Sequence, residues 1–390
     1  MNHPGSTQAA DCVIVGASFA GLACATVLAR AGLRVTVLEK KSDPGEKLHT
    51  TGIIVKDAVD QIALLDGLPG DCVHRIDGVR LYAPNLRHVD LAAPGYYFLA
   101  TDTPRLMRWL AAQAEKAGAR ILYGKAFAEA QRSRSGFDLG ELGTTRFLVG
   151  ADGPGSAVAR SLGLGRSRKF LFGLEHEYED MEIPEPEKLH CFIDRRLAPG
   201  YIAWAVSGVG LVQVGLARRV RGDASQAGAA MAALLEKIAP LCDFRGRRPS
   251  SVRAGMIPCG GVVRPVAASR ALLVGDAAGM VSPVTAGGIH TALKHGLAAG
   301  HAIADYLSGK REDPSGWFVR SYPRFRTKRA LRFLFDHFQS DALFNLLLST
   351  RPMRMAAGIV YFHRRGVFNP KPRPAAQRAD APLGEDAPPR

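Results

Sequence analysis

The first residues that could do chemistry lie close to the N-terminus. Gly16, Ser18 and Gly21 hold the three defining positions of a G-x-G-x-x-G turn, and Glu39 follows 23 residues after Gly16. A glycine at 16 permits a sharp turn, and a small residue at 18 lets the backbone approach a pyrophosphate. A carboxylate at Glu39 can accept both hydrogen bonds of an adenosine ribose diol. This spacing predicts a dinucleotide site, and we expect three neighbours to line it as well: Ala17, Ala20 and Lys40.

Two further motifs place an acid beside a glycine at the end of a predicted strand. Asp152 and Gly153 follow the apolar run 147–149, and Gly275 and Asp276 follow the run 272–274. The carboxyl ends of parallel strands are where α/β sheets bind ligands. Asp152 and Gly153 taken alone would be typical of an ordinary turn, whereas Asp276 could bind a ribityl hydroxyl. We expect the segment that leads into the next helix to approach a flat ring through Pro283, Gly287, Gly288 and Ile289.

The elements that must position these motifs follow from hydrophobic periodicity. The run 13–15 predicts a buried strand, and the apolar spacing after Gly21 predicts a helix that Gly32 ends. A second strand over 35–38 brings Glu39 to its end. Apolar residues at 54, 58, 62 and 65 predict another helix, and Thr103 with Pro104 predicts the start of a third. Residues 168–258 are typical of a mainly β module with one helix over 229–238.

Composition limits the class of protein. The chain has 390 residues, 47% hydrophobic and 22% charged, which is typical of two globular domains with an ample core. No run of 18 apolar residues predicts a membrane-spanning helix, and the polar first ten residues show no secretory signal, so we expect a cytoplasmic protein. Six cysteines without a C-x-x-C spacing predict reduced thiols. The net charge of +15 suits an anionic membrane surface, an acidic partner or a nucleic acid, and no nucleic-acid motif accompanies it.

The three motifs, in this order, resemble the flavoprotein fold of para-hydroxybenzoate hydroxylase. The resemblance covers residues 11 to about 310 and implies bound FAD. Within that fold, the segment PVTAGGIHTALKHGLAAGHAI at 283–303 most resembles the geranylgeranyl reductase family. The implied architecture is α/β, with a Rossmann-like FAD-binding domain, an inserted antiparallel β-sheet substrate domain and a C-terminal helical region. We expect the FAD-binding domain at 11–75, 101–165 and 259–310, the substrate domain at 76–100 and 166–258, the helical region at 311–365, and a disordered tail at 366–390.

The chain departs from the family at three places that matter for its site. The family's Tyr-x-Trp-x-Phe-Pro strand lines the substrate cavity, and here Tyr201 and Trp204 stand one place further apart without the Phe-Pro. If this stretch is a regular strand, the two side chains lie on opposite faces. The family's cysteine-containing loop is His-Thr-Thr-Gly here, and the resemblance implies that Thr51 lies near the flavin. Thr103 occupies the place where related flavoproteins usually bind the pyrophosphate with an arginine, and we expect Arg105 to take that role.

The resemblance implies an FAD-dependent oxidoreductase that reduces C=C bonds of a lipophilic, isoprenoid-type substrate by hydride transfer from reduced flavin. The alternative is an FAD-dependent monooxygenase or halogenase acting on an aromatic or polyketide-like substrate. Against a halogenase, the lysine-bearing motif and the Trp-x-Trp-x-Ile-Pro strand of those enzymes are not evident. A third class is a non-catalytic FAD protein recruited to membranes by its C-terminal part.

Cofactors and partners follow from the same observations. No second strand–glycine–helix unit for NADPH is evident, so we expect NAD(P)H to bind transiently or a protein such as ferredoxin to donate electrons. We expect no metal and single out no proton donor. A helix pair with a solvated basic face accounts for the C-terminal region slightly better than membrane contact. The residues that would make such a contact are Arg320, Arg324, Phe325, Arg326, Lys328, Arg329, Leu331, Arg332, Phe333 and Leu334.

Overall fold

A computed structural model describes residues 9–220 and 225–362. Its strands are β1 Ala10–Val15, β2 Val35–Leu38, β3 Ile53–Val55, β4 Val73–Ile76, β5 Gly78–Tyr82, β6 His88–Leu91, β7 Phe98–Thr101, β8 Arg120–Leu122, β9 Gln131–Arg132, β10 Phe137–Asp138, β11 Thr144–Gly150, β12 Phe170–Glu179, β13 Lys188–Phe192, β14 Ala203–Ser207, β15 Leu211–Arg219, β16 Ser251–Pro258, β17 Ala267–Ala268 and β18 Ala271–Leu273. Its α-helices are α1 Phe19–Arg30, α2 Lys56–Gln61, α3 Thr103–Lys116, α4 Ala157–Ser161, α5 Ser225–Ile238, α6 Ile289–Leu307, α7 Pro314–Trp317, α8 Arg326–Phe338, α9 Asp341–Leu347 and α10 Arg351–Phe362.

The chain divides into two compact units, each assembled from separate stretches of sequence. The first takes the described residues of Met1–Glu46, Met107–Phe170 and Ile257–Ala330, and the second those of Lys47–Leu106, Leu171–Met256 and Leu331–Arg390. The domain limits expected from the sequence place 47–75 in the cofactor domain. In the structure this stretch belongs to the second unit, because β3 pairs with β7 and β4 pairs with β7. The predicted tail 366–390 lies outside the described residues.

The first unit is built on a mainly parallel sheet. Its strand order is β17-β18-β11-β1-β2-β8, and the pairs between β18 and β8 are all parallel. The short strand β10 pairs with β11 in the antiparallel sense, and β9 pairs with β10 in the same sense. Since β1 lies between β2 and β11, the chain reverses its direction of winding there, which is the switch point where such sheets open a ligand crevice.

Close helix packing fixes the layer above this sheet. Helix α6 lies against α1, and a Cβ atom at Gly296 would lie 2.4 Å from the backbone oxygen of Ala20. A Cβ atom at Gly300 would lie 2.8 Å from Cβ of Val27. The two glycines, four residues apart on α6, therefore let the helix axes approach more closely than any larger residue would allow.

The second unit has a seven-stranded sheet of order β16-β12-β15-β14-β13-β5-β6 and a three-stranded sheet of order β3-β7-β4. In the larger sheet β13 and β5 pair in the parallel sense. One of its faces forms an apolar core with α5, centred on Tyr178, Val214 and Leu234. On the other face of this sheet, residues of β5 and β13 pack in a second apolar core with Phe98 and Phe362.

Two local predictions change in the structure. Ile54 belongs to β3 and not to a helix, because its backbone pairs with Leu99 of β7 before α2 begins at Lys56. Tyr201 precedes β14, which begins only at Ala203, because a turn at Gly200, with φ of 81°, comes first. Tyr201 and Trp204 therefore do not share one regular strand, which was the condition for placing them on opposite faces.

Candidate functional site

The turn after β1 is tightly built. Gly16 has φ of 103°, and a Cβ atom there would lie 2.5 Å from the backbone oxygen of Ala151. A Cβ atom at Gly21 would lie 2.1 Å from the backbone oxygen of Gly16. Ser18 is the N-cap of α1, and its hydroxyl accepts a 3.2 Å hydrogen bond from the Gly21 amide. The turn is thus closed on itself at the helix N-terminus, where the helix dipole favours an anion.

Glu39 is fixed at the end of β2 by this turn. The residue is only 5% exposed, and its Oε2 accepts a 2.8 Å hydrogen bond from the Ala17 amide. Its Oε1 accepts a 3.0 Å hydrogen bond from the Lys41 amide. Each carboxylate oxygen has a further lone pair, so the pair can still receive the hydroxyls of a ribose. The side chain of Lys40, in contrast, is exposed.

The other two motifs lie at the same edge of the sheet. Asp152 follows β11, and its Oδ2 accepts hydrogen bonds from the amides of Ala157 (2.6 Å) and Val158 (3.2 Å). Oδ1 of Asp152 is buried and has no partner among the described residues. The carboxylate therefore orders the turn around Gly153 and the start of α4, and it keeps one free acceptor.

Asp276 lies between the end of β18 and the start of α6. Its surroundings desolvate the carboxyl and raise the pKa to about 6. A Cβ atom at Gly288 would lie 3.5 Å from Oδ1 of Asp276, so this acid stands beside the N-terminus of α6. The loop before the helix is tight, since the Ser282 amide donates to the Gly287 oxygen at 3.1 Å. Pro283 is buried in that loop, and Ile289 is the first residue of α6.

These first-unit residues fit FAD. They combine backbone that no side chain obstructs at Gly16 and Gly21, an oriented carboxylate at Glu39 and acids at two further strand ends, of which Asp152 keeps an unpartnered oxygen. A dinucleotide that carries a pyrophosphate, a ribose diol and polyol hydroxyls needs this set of groups.

Arg105 has a different neighbour from the one expected. Its guanidinium donates to Asp71 Oδ2 at 2.7 Å and to the Asp71 backbone oxygen at 3.2 Å, within the second unit. The fully buried Thr103 lies beside Gly52, where a Cβ atom would come 1.9 Å from the threonine hydroxyl. A role for Arg105 at a pyrophosphate stays a prediction.

The second unit joins two of the expected cavity residues through an acid that sequence reasoning missed. Glu175 Oε2 accepts hydrogen bonds from the Thr51 hydroxyl and, at 3.0 Å, from Nε1 of Trp204. Glu175 and Trp204 both pair with Gly215, one strand on either side. A Cβ atom at Gly215 would lie 2.4 Å from the indole ring, so the missing side chain lets Trp204 reach across β15. The sequence signal was the alternation of three acids, Glu175, Glu177 and Glu179, in the second half of β12.

A second set of polar groups continues this face of the sheet. Glu177 is 4% exposed and forms an ion pair with Arg253 at 2.5 Å. Arg253 also donates to the backbone oxygen of Thr50 at 2.8 Å. Nε2 of Gln213 donates to Glu177 Oε1 at 3.1 Å and to the Thr51 backbone oxygen at 3.2 Å. The loop that carries Thr51 is therefore held on the sheet by backbone and side-chain bonds.

Tyr201 stands apart from this polar set. Burial raises the pKa of its hydroxyl, and the Cys191 thiol raises the pKa further. Cys191 is the strand partner of Trp204, so both aromatic residues lie near the same position of β13.

No cluster of metal-ligating side chains occurs within residues 9–220 and 225–362. No helix in these same ranges is long and apolar enough to cross a membrane.

Comparison with known proteins identifies the group to which this chain belongs. The family described as FAD binding domain matches residues 9–334. A digeranylgeranylglycerophospholipid reductase of Methanopyrus kandleri is 30% identical over 333 residues, which cover 80% of this chain and 81% of the relative. A digeranylgeranylglycerophospholipid reductase of Methanothermobacter thermautotrophicus is 28% identical over 82% of this chain and 83% of its own.

Among solved structures, a geranylgeranyl bacteriochlorophyll reductase-like protein of Thermoplasma acidophilum aligns with a TM-score of 0.72 at 17% identity. The alignment covers 90% of this chain and 98% of that one. At this identity the likeness shows the fold, and it confirms the predicted α/β class of the para-hydroxybenzoate hydroxylase type. The protein is an FAD-dependent oxidoreductase. The chain matches the FAD-binding-domain family over most of its length and is 30% identical to the Methanopyrus reductase. It therefore belongs to the FAD-binding-domain flavoproteins and, among them, to the geranylgeranyl reductase family.

Proposed function

We propose that this protein reduces carbon–carbon double bonds of a lipophilic, isoprenoid-type substrate. The observation that carries the proposal is the 30% identity, over four-fifths of both chains, to a digeranylgeranylglycerophospholipid reductase. The reducible groups of a geranylgeranyl chain are its alkenes, so a reductase of such a lipid adds hydrogen across them. FAD in its reduced form supplies the hydride for this reaction, and the protein supplies binding, orientation and protection from water.

We further propose that the first unit holds the FAD through the residues predicted from the motifs. Gly16, Ser18 and Gly21 would admit the pyrophosphate at the start of α1, and Glu39 would bind the adenosine ribose. Asp276 and the N-terminus of α6 would hold the flavin half, since a helix N-terminus stabilises negative charge on a reduced ring. The close backbone approaches at Gly16 and Gly21 and the two acceptor oxygens of Glu39 support this assignment.

The electron donor and the membrane are two further parts of the proposal. The described residues contain a single strand–glycine–helix unit of the dinucleotide type, so the donor would be transiently bound NAD(P)H or a ferredoxin-type protein. Exposed apolar side chains are concentrated on α8, α9 and α10, where Phe333, Leu346 and Met355 are 59%, 72% and 70% exposed. With a net charge of +15, these helices suit a peripheral contact with an anionic bilayer that carries the substrate.

A monooxygenase or halogenase is the second candidate, because the fold is shared with a flavin-dependent brominase, at a TM-score of 0.69 and 15% identity over 90% of this chain and 92% of that one. Photoreduction of the bound FAD without oxygen, followed by mixing with a geranylgeranyl lipid, separates the two. We expect the lipid to re-oxidise the flavin and to gain two hydrogens per double bond in its mass spectrum. Re-oxidation only by oxygen, with hydroxylation or halogenation of an aromatic acid, would favour the second candidate.

A further inference from the structure

The first unit contains a cavity of about 280 Å³ that none of the three motifs lines. Its lining residues are Ser135, Arg146, Arg270, Tyr306 and Leu307, and we call it the arginine cavity. No acidic side chain is among the described residues that line it. Its volume is close to the lower limit of small-molecule sites, about 300 Å³. Guanidinium groups bind phosphate and carboxylate groups through two hydrogen bonds at once, so the lining favours an anion.

The arginine cavity lies at the opposite end of the parallel strands from the proposed FAD site. Arg146 is the third residue of β11, and Arg270 comes directly before β18. These two strands are parallel neighbours, and Asp152 and Asp276 follow their carboxyl ends. The cavity also includes the last two residues of α6, whose N-terminus stands beside Asp276. A ligand in the arginine cavity would therefore be a molecule other than the flavin.

The Arg146 side chain is held in position before any ligand binds. Its Nη1 donates to Oδ1 of Asp11 at 3.3 Å, and its Nη2 donates to the backbone oxygen of Leu307 at 3.1 Å. Asp11 also accepts from Nε of Arg34 at 3.3 Å, so one carboxylate is shared by two guanidinium groups. Its charge therefore does not neutralise both arginines. The two bonds use two of the five N–H groups of Arg146, which leaves three for a ligand.

Arg270 stands where the backbone favours a different residue. It is the second residue of the two-residue turn between β17 and β18, in which Ala268 pairs with Ala271, and its φ is 58°. Glycine or asparagine is the usual choice for such a φ, and a long charged residue is uncommon there. The guanidinium is tied at one point, since Nη1 donates to the backbone oxygen of Arg134 at 3.1 Å. An arginine at this position adds a charged fork to the cavity that the turn itself does not need.

The remaining walls suit an organic group attached to the anion. The turn that carries Ser135 is packed on β11, because a Cβ atom at Gly136 would lie 2.0 Å from the backbone oxygen of Thr145. The half-buried Tyr306 contacts the ring of Phe147, with 6.0 Å between the ring centroids. The cavity thus presents a hydroxyl, an aromatic ring and an aliphatic side chain beside the two guanidinium groups.

We propose that the arginine cavity binds a phosphate monoester, with the phosphate between Arg146 and Arg270 and the organic part against Tyr306. Near neutral pH a phosphate monoester carries a charge of about −1.5 to −2, which matches two guanidinium groups better than a single carboxylate does. The ester can be a free small molecule or the headgroup of a lipid, since both present the same dianion. This inference does not depend on the proposed reductase function.

The test compares Arg270→Gly with the matched control Arg120→Gln in the FAD-loaded protein. Glycine adopts a φ of 58° without strain, so Arg270→Gly should unfold at no lower a urea concentration than the wild type and keep its flavin absorption spectrum. Calorimetric titration with glycerol 3-phosphate at low salt should show binding to the wild type and about 10–100-fold weaker binding to Arg270→Gly, because charge-assisted hydrogen bonds are lost. Arg120, the exposed first residue of β8, belongs to the same sheet. Arg120→Gln removes an equal charge and should bind like the wild type.

A second titration identifies the source of the phosphate. Phosphatidylcholine vesicles with and without phosphatidic acid present the same monoester on a lipid. Stronger binding of the wild type than of Arg270→Gly to the phosphatidic acid vesicles alone, without binding of glycerol 3-phosphate, would assign the site to a lipid headgroup. Binding of glycerol 3-phosphate that Arg270→Gly weakens assigns it to a free ester. The proposal is overturned if neither probe binds, if Arg270→Gly binds both as the wild type does, or if Arg120→Gln weakens binding equally.

Discussion

Glu39 shows how one side chain can serve the fold and a ligand together. Its carboxylate accepts the amides of Ala17 and Lys41, so it fixes the turn after β1 from the end of the neighbouring strand. The same two oxygens retain lone pairs for a ribose diol. Asp152 follows the same principle at the end of β11, where one oxygen orders α4 and the other remains free. In the proposed FAD site, both carboxylates are therefore held in place before the nucleotide arrives.

Glu39→Ala should weaken FAD binding by roughly 1–3 kcal/mol, the range for a hydrogen bond to a charged group. The ribose would lose its acceptor, and the Ala17 amide would lose its partner. Titration of the apoprotein with FAD, followed by flavin fluorescence, measures the change. Glu46→Ala is the control, because Glu46 is an exposed acid of the following loop that bonds Ser42. Equal affinities for the two variants would contradict a ribose role for Glu39.

At the scale of elements, two contacts depend on missing side chains. The α1–α6 layer needs Gly296 and Gly300, and the bond from Trp204 to Glu175 needs Gly215 in the strand between them. In each case one element carries a glycine where its neighbour approaches most closely. The positions of α6 and of the indole are therefore set by sterics before any ligand binds.

Gly296→Ala should lower the free energy of unfolding by about 1–3 kcal/mol, the range for overpacking a well-packed core. The added methyl group would meet the backbone of α1, which cannot rotate away as a side chain can. Gly228→Ala is the matched control in α5, since a Cβ atom there meets nothing within 4 Å, and it should stabilise by roughly 0.5–1 kcal/mol. Urea unfolding of both variants gives the comparison. An equally stable Gly296→Ala would show that α6 can shift without loss.

For the whole molecule, charge and exposed apolar surface are the features that bear on a partner. Arg332 was expected at the membrane surface, but it is only 7% exposed and forms an ion pair with Asp336, four residues further along α8. Leu331, Phe333 and Leu334 of the same helix are 52%, 59% and 51% exposed. The apolar residues of this helix, more than that arginine, are available to enter an interface.

We expect the protein to co-sediment with phosphatidylglycerol vesicles at low salt and less at high salt. Each basic residue near an anionic surface contributes about 1 kcal/mol before screening. The double variant Leu346→Ser/Met355→Ser should bind at least about tenfold more weakly, because each buried apolar side chain contributes roughly 1.5–3 kcal/mol. Val252→Ser, a 55% exposed apolar residue outside the C-terminal helices, should bind like the wild type. No binding of the wild type at low salt would exclude the membrane contact.

The sequence by itself determined what local geometry controls. Gly16, Ser18 and Gly21 predict the turn because positive φ and close backbone approach restrict the residue types that fit there. Short apolar runs predict the strands that end just before Glu39, Asp152 and Asp276. Only the tertiary structure decided which strands are neighbours. Alternation along β12 tells which side chains share a face, but Glu175 meets Trp204 and Thr51 across 29 and 124 residues of sequence. That pairing depends on strand order and register, which local pattern leaves open.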